Sequence, residues 1–147
     1  MEDSYLAKSG CWKLDKKRIF NYRRIIFNPV YLPERDKNIV PAELIESILL
    51  AASYLNSPQA QEKGSIRIWV RFLDDISLLQ TINLSKLAER ERAAFLLNLY
   101  HAMVLHACVV VAPPQAWNNW NYFFNNITYL LSYEVVSIAE LEHNIIR

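Results

Sequence analysis

Hydrophobic positions between residues 41 and 77 recur with the spacing of amphipathic helices. Pro41 suits the first turn of a helix, and a helix is predicted from Pro41 to Leu55, ending before Pro58. Its apolar stripe comprises Leu44, Ile45, Ile48, Leu49, Ala52 and Leu55. A second helix is predicted after Ser65. Its apolar face is expected to hold Ile66, Trp69, Val70, Leu73 and Ile76, with Arg67, Arg71 and Asp74 off that face.

A longer helix is predicted from about Leu87 to Val111, ahead of the Pro113-Pro114 pair. Glu89 and Glu91 occupy its opening turn, where the helix dipole favours acidic side chains. Its later turns are apolar nearly all round, and the segment from Ala93 to Tyr133 contains no Asp, Glu, Lys or Arg. A helix that is apolar on every side is typical of a buried central position.

The segment after the proline pair predicts one hairpin and one further helix. Residues 117–126, rich in asparagine and aromatic side chains, are expected to form a loop, and residues 127–136 form a candidate β-hairpin. Ser137 followed by Glu140 matches a capping box, which predicts a last helix near the end of the chain. The predicted fold class is therefore α+β and mostly α-helical, with a long buried central helix, a small β-hairpin and a C-terminal helix.

The first 40 residues follow no clear period and carry an uneven charge. Between residues 8 and 24 the one acid is Asp15, and the basic residues are Lys8, Lys13, Lys16, Lys17, Arg18, Arg23 and Arg24. We therefore divide the chain into a basic N-terminal arm, residues 1–40, and a single helix-rich domain, residues 41–147. Residues 18–35 fit either a short amphipathic helix or an extended arm packed on that domain.

Composition excludes several classes of site. Two glycines, Gly10 and Gly64, are far fewer than a chain of 147 residues ordinarily carries. A dinucleotide fingerprint, a Gly-rich phosphate loop and a nucleophile elbow are therefore excluded. The two cysteines, Cys11 and Cys108, lie in no metal-binding spacing, which favours a reducing compartment. We expect no cofactor and no metal, and a cytoplasmic location because no signal peptide is recognisable.

Two motifs stand out in the second half of the chain. The first, in the long helix, reads Phe95-Leu96-Leu97-Asn98-Leu99-Tyr100-His101-Ala102. The second starts at Ser137 and continues through Leu141-Glu142-His143-Asn144-Ile145-Ile146-Arg147. Their order and spacing resemble the domain of unknown function 547 family, and the upstream segment from Pro41 to Leu87 is also similar to it. The resemblance implies a fold more than a reaction, because the biochemical role of this family is poorly defined.

The chain also departs from the pattern of that family. Leu131, Ser132 and Tyr133 stand where the family has a Gly-Gly hairpin, so we expect the tight turn to be lost, and Asn144 replaces the glycine after the histidine. Members of the family continue into a segment H-F-x-L-x-C-x-S that holds their best candidate nucleophile, whereas this sequence stops at Arg147. The resemblance therefore implies a shortened, degenerate domain without that cysteine.

Four polar side chains in the motifs are candidates for chemistry. His143 can act as a general base because an imidazole exchanges protons near neutral pH, and Glu142 lies beside it in sequence. Asn98 and His101, at i and i+3, share one face of the long helix and can line a polar pocket with His143. The alternative is that these side chains bond to neighbouring elements and are structural. His106 and Cys108 fit neither zinc spacing nor a Cys-His dyad, and Cys108 is expected to be a core thiol.

Three functions from different classes remain open. The leading hypothesis is a non-catalytic structural or protein-interaction module that packs on a larger partner or forms a homo-oligomer. Its contact residues are expected among the aromatic side chains Trp117, Trp120, Phe123 and Phe124. The alternative is an enzyme of the hydrolase or transferase type that uses His143 as general base, supported by Asn98, His101 or Glu142.

The third hypothesis is a nucleic-acid-associated accessory protein, which we favour less because the net charge of the chain is only +1. It would use Lys16, Lys17, Arg18, Arg23 and Arg24, with aromatic side chains interleaved for base stacking. The uncharged run from Ala93 to Ala112 also has the length of a membrane span. We do not favour a span, because Asn98, Tyr100, His101 and His106 interrupt the run and no cationic flank follows it.

Overall fold

The computed structural model describes residues 17–21, 39–114, 119–132 and 134–146. These residues form six α-helices, two short 3-10 helices and a three-stranded sheet, which confirms the α+β, mostly helical prediction. The helices are α1 (Pro41–Leu55), α2 (Pro58–Lys63), α3 (Ile66–Ser77), α4 (Glu89–Val110), α5 (Trp120–Asn126) and α6 (Ile138–Ile146). The 3-10 helices are Leu78–Thr81 and Leu84–Lys86, and the strands are β1 (Arg18–Ile19), β2 (Ile127–Leu131) and β3 (Glu134–Ser137).

Helix α1 lies between α3 and α4 and buries most of its predicted stripe. The buried side chains are Leu44, Ile45, Ile48, Ala52 and Leu55. The helix stops before Pro58 as predicted, and the side-chain amide of Asn56 donates to the Ala52 carbonyl at 2.8 Å and to the Leu105 carbonyl at 3.0 Å. The C-terminal end of α1 is thereby tied to α4. The short helix α2 was not predicted; it starts at Pro58, whose fixed φ favours the first helical position.

Helix α3 forms where it was predicted and buries the predicted face in part: Ile76 is buried, and Trp69 and Leu73 pack half-buried against the core. Phe72, Asp74, Asp75 and Ile76 are buried, whereas Ile66 is 66% and Val70 37% exposed. The predictions that Ile66 and Val70 face the core and that Asp74 lies off the buried face are therefore wrong. The hydroxyl of Ser47 on α1 donates to the Asp75 carboxylate at 3.3 Å, and such a partner lowers the free-energy cost of burying the carboxylate.

Helix α4 has the predicted bounds within two residues and contacts α1, α6 and β2. Its inner side is buried through Phe95, Leu99, Ala102, Met103, His106 and Ala107. Its opposite side is not enclosed, and Leu97 is 45% exposed. The helix is therefore central in its contacts but open along one side. After it ends, Ala112 adopts φ +65°, a left-handed conformation that glycine usually supplies at helix C-termini.

The sheet is built around β2, which pairs in parallel with β1 and antiparallel with β3. Leu131 pairs with Glu134, so the predicted hairpin has a two-residue turn. Ser132 adopts φ +50° in this turn; its N–H donates to the Leu79 carbonyl at 3.4 Å and its hydroxyl donates to the Ile82 carbonyl. The expectation that the tight turn is lost with the glycines is therefore wrong, because a serine anchored to the 3-10 segment takes the left-handed position.

The hairpin is flanked by α5 and α6. The predicted loop over residues 117–126 is wrong for residues 120–126, which form α5, with Trp120, Phe123 and Phe124 at i, i+3 and i+4 on one side. Phe123 is fully buried. Helix α6 begins as predicted, since the backbone N–H of Glu140 donates to the Ser137 hydroxyl at 3.1 Å.

Candidate functional site

The four polar candidates of the family motifs lie on two helices that pack together. Asn98 and His101 belong to α4, and Glu142 and His143 to α6. His101, Glu142 and His143 are exposed and Asn98 is half-buried. Within the described part of the chain, no hydrogen bond or ion pair joins any two of these four side chains. The ring contact of His101 is with its neighbour Tyr100, at 5.9 Å between centroids.

The closest electrostatic relation between the two motifs involves Tyr100, which sequence reasoning did not single out. Burial, and after it the charge of the Glu142 carboxylate, raises the pKa of the Tyr100 phenol. Tyr100 is half-buried on the side of α4 that packs on α6. This phenol therefore keeps its proton at neutral pH, where it can donate but not act as a base.

His106 lies at the centre of a buried aromatic cluster. Its Nδ1 is 2.6 Å from the Tyr129 hydroxyl, and its ring lies 4.9 Å from Phe72 and 5.5 Å from Phe20, both edge to face. Burial lowers the pKa of His106 to about 3 and raises that of Tyr129 well above its usual range. Both groups are neutral at physiological pH, so the pair joins α4 to β2 and carries no charge.

Cys108 follows His106 on α4 and packs half-buried against the core. Burial raises the pKa of its thiol, which favours the unreactive protonated form. The described residues contain no group of three His, Cys, Asp or Glu side chains that could hold a metal ion.

The described residues of the basic arm are 17–21 and 39–40; Arg18 and Ile19 form β1, and residues 20–21 form a turn. The Phe20 N–H donates to the Thr128 carbonyl at 2.8 Å, and the Thr128 hydroxyl donates to the Arg18 carbonyl at 2.8 Å. Lys17 forms an exposed ion pair with Glu140 at 3.4 Å. Arg18 and Ile19 thus pack on the domain as a strand, and residues 22–35 of the segment for which two alternatives were open lie outside the described residues. Lys16, Arg23 and Arg24, also predicted as contact residues, lie outside the described residues.

Asn21 is a structural residue that the sequence did not reveal, since it is one asparagine among many. It is buried, and its side-chain amide donates to the Leu130 carbonyl at 2.8 Å and to the Ile76 carbonyl at 3.0 Å. Its side-chain oxygen accepts from the Leu130 N–H at 2.6 Å, and Gln80 donates to its backbone carbonyl at 2.9 Å. One side chain thus links the arm to β2 and to the end of α3.

The predicted aromatic contact residues lie around α5. Trp120 and Phe124 are half-buried and stacked at 5.6 Å between centroids, and the fully buried ring of Phe123 meets both edge to face. Phe123 therefore belongs to the core and offers no surface to a partner. Trp117 lies outside the described residues. Tyr122, which was not predicted, is 53% exposed.

The least covered apolar surface of helix α4 is its outer side. We call it the α4 outer face; along the helix it comprises Ala93, Ala94, Leu97, His101, Val104 and Cys108. The first four are exposed and the last two half-buried, and none is Asp, Glu, Lys or Arg. A surface helix normally places charged side chains there. This face is therefore exceptional because it is accessible and apolar together.

Helix α4 is also the one helix in the described ranges that is long and apolar enough to cross a membrane. One third of its most apolar stretch is buried within the protein. Core helices of soluble proteins pass the same test of length and composition, so this property alone does not separate a membrane span from a docking face.

Residues 84–147 match the model of a family described as "Protein of unknown function, DUF547". The match covers both motifs and confirms the resemblance over the segment from the second 3-10 helix to α6. It begins at residue 84, so helices α1 to α3 lie upstream of it. No curated protein and no solved structure matches the chain.

Proposed function

We propose that this chain, whose residues 84–147 resemble the DUF547 family, is a non-catalytic interaction module that docks a partner protein on the α4 outer face. The observation that carries the proposal is that this face is uncharged and accessible from Ala93 to His101, over about two and a half turns. Burying apolar surface stabilises a complex by about 25 cal/mol per Å² removed from water, before the costs of association. An exposed apolar patch of this kind is typical of a protein contact site.

The chemistry of the face defines the partner. Leu97 supplies the largest exposed aliphatic side chain, at 45% exposure, and the alanines beside it allow a second backbone to approach closely. A nucleic acid would need cations, which the face lacks, so a partner with an apolar, uncharged surface fits best. His101 adds ring nitrogens in the middle of the face, where a polar group of the partner can bond.

The non-catalytic part of the proposal is supported by the separation of the polar candidates. A general base needs a substrate proton within hydrogen-bond reach and a neighbour that orients it. Among the described residues no such neighbour bonds to His143, whose side chain is exposed. Burial and the Glu142 carboxylate raise the pKa of the Tyr100 phenol, so the phenol stays protonated and cannot act as the base instead.

Sedimentation velocity of the full chain over a concentration series tests the proposal. With its docking face free, the wild-type chain should self-associate, and Leu97→Glu should shift it to monomer because each face would then bury a carboxylate. Leu50→Glu is the matched control, since Leu50 is 64% exposed on α1 and lies outside the α4 outer face. Association that Leu97→Glu leaves intact would overturn the proposal, and a wild-type chain that stays monomeric at its solubility limit would exclude a second copy of this chain as the partner.

A further inference from the structure

The exposed side of α3 carries an unusual combination of side chains. Ile66 and Val70 are spaced i and i+4, and so are Arg67 and Arg71, and all four are exposed. Residues four apart are neighbours on a helix surface. Two parallel stripes, one aliphatic and one basic, therefore face solvent on this helix.

Helix α1 adds a third stripe beside the arginines. The hydrogen bond between Ser47 and Asp75 brings one side of α1 against one side of α3. From Ser47, Leu50 and Tyr54 follow at i+3 and i+7 on the same side of α1. From Asp75, Arg71 and Arg67 precede at i−4 and i−8 on the same side of α3. Because the C-terminal end of α1 leads through residues 56–65 into the start of α3, the two stripes run alongside each other in opposite chain directions.

The result is a basic stripe between two apolar ones, which we call the α1–α3 surface: Leu50, Tyr54, Ile66, Arg67, Val70 and Arg71. Leu50 is 64% and Tyr54 36% exposed. Within the described ranges neither arginine has an ion-pair partner. The acids nearest in sequence, Asp74 and Asp75, are buried, and the exposed Glu46 lies one turn before Leu50 on α1, away from Tyr54. The surface is therefore positive and partly apolar around Tyr54 and Arg67.

We propose that the α1–α3 surface binds an acidic amphipathic helix of a partner protein. Two carboxylates four residues apart on such a helix are separated by about 6 Å along its axis, as are Arg67 and Arg71. Guanidinium groups bind carboxylates with two parallel hydrogen bonds, which fixes the register of the partner. Apolar residues on both sides of the acidic stripe then cover Leu50 and Tyr54 on one side and Ile66 and Val70 on the other.

The arrangement of the stripes favours a helix over other anionic partners. A helix that lies on a membrane keeps one continuous apolar face with its cations at the rim, whereas here the cations divide the apolar surface. A nucleic acid would use the arginines but leave four exposed apolar side chains uncovered. This proposal does not depend on the α4 outer face, because the two surfaces share no residue.

The test uses the full chain and a synthetic amphipathic helix with glutamates at i and i+4 flanked by leucines, with fluorescence anisotropy as the readout. The wild-type chain should bind it, and Arg67→Glu with Arg71→Glu should weaken binding about tenfold or more. A second peptide with lysines in place of the glutamates should restore binding to this double variant. Arg90→Glu, which changes an exposed arginine on α4, should leave binding unchanged.

Three results would overturn the inference: no binding of the glutamate peptide to the wild-type chain, equal binding to the double variant, or no rescue by the lysine peptide. Vesicles of phosphatidylserine and phosphatidylcholine and a single-stranded RNA are run in parallel. If either binds in an Arg67- and Arg71-dependent way while the glutamate peptide does not, the partner is that polyanion and the proposal is wrong. Far-ultraviolet circular dichroism of each variant establishes that it is folded.

Discussion

The outer sides of α3 and α4 both expose apolar side chains, but the neighbouring side chains differ in charge. On α4, Leu97 lies among alanines and one histidine, with no formally charged neighbour between Ala93 and Val110. On α3, Ile66 and Val70 lie beside Arg67 and Arg71. The first face can be covered by any apolar surface of suitable shape, whereas the second also demands opposite charges at a fixed spacing. The two faces should therefore differ in their selectivity for a partner.

The inner sides of the same helices explain why these outer faces are free to differ. Phe72 on α3 and His106 on α4 meet edge to face at 4.9 Å, so one aromatic cluster anchors both helices. Because Phe72, His106 and Tyr129 of that cluster are buried, the outer residues are not needed to hold the helices in place. Substitutions on the inner and outer sides should therefore have very different consequences.

The largest expected effect is a difference in stability between substitutions on the two sides of α3. Phe72→Ala should lower the free energy of unfolding by roughly 3–5 kcal/mol, since it removes a fully buried ring from the core. Ile66→Ala should change it by less than about 0.5 kcal/mol, because that side chain is already in water. Urea unfolding at equilibrium measures both. Similar losses of stability for the two variants would mean that Ile66 packs against the core, contrary to the observed structure.

A smaller effect should come from the link between α3 and the sheet. Asn21→Ala leaves the Leu130 N–H and the Ile76 carbonyl without their side-chain partner, and each such buried group costs about 1–3 kcal/mol. The control is Lys17→Ala in the same arm, whose ion pair is exposed and should contribute about 1 kcal/mol or less. The same urea titration applies. Equal stabilities for the two variants would contradict the anchoring role of Asn21.

The free energy of unfolding should also depend on pH through His106, on the inner side of α4. Its folded-state pKa of about 3 lies below the ordinary value of 6.5, so the unfolded chain binds a proton first as the pH falls. Its contribution to stability is complete above the ordinary value and is lost as the pH falls toward the folded-state value, at about 1.4 kcal/mol per pH unit.

The measurement is the free energy of unfolding between about pH 6 and pH 5, above the range in which ordinary carboxylates titrate. His106→Gln can keep a bond to Tyr129 without titrating, and it should flatten the slope seen in the wild-type chain. The exposed His101 and His143 are present in both proteins and cancel in the comparison. Parallel slopes would show that His106 is not the buried titrating group.

Much of the fold could be predicted from local patterns. The start of α1 at Pro41, the cap of α6 by Ser137 and the bounds of α4 follow from signals carried by a few neighbouring residues. The buried face of α3 could be predicted only in part, because apolar residues occur on several sides of this helix. Packing against α1 and His106 selects the stripe with Phe72, and leaves Ile66 and Val70 in water.

The candidate sites were predicted less well for the same reason. The motif residues Asn98, His101, Glu142 and His143 were found from their order in the chain, but their mutual bonding depends on how α4 and α6 rotate against each other. Asn21 gave no signal, since its partners are backbone groups of Ile76 and Leu130 far along the sequence. Hydrogen bonds between a side chain and backbone groups far along the chain produce no periodic pattern in the sequence.

The sequence by itself determined the helical class, the boundaries of the main helices and the long uncharged segment, because each depends on neighbours within a few residues. It also limited the number of glycines available for tight turns. Only the tertiary structure decided that Ser132 takes a left-handed conformation in the hairpin, held by the carbonyls of Leu79 and Ile82. Only the tertiary structure decided, too, which side of α4 is open, since solvent exposure depends on which elements pack nearby and not on the residues of the helix itself.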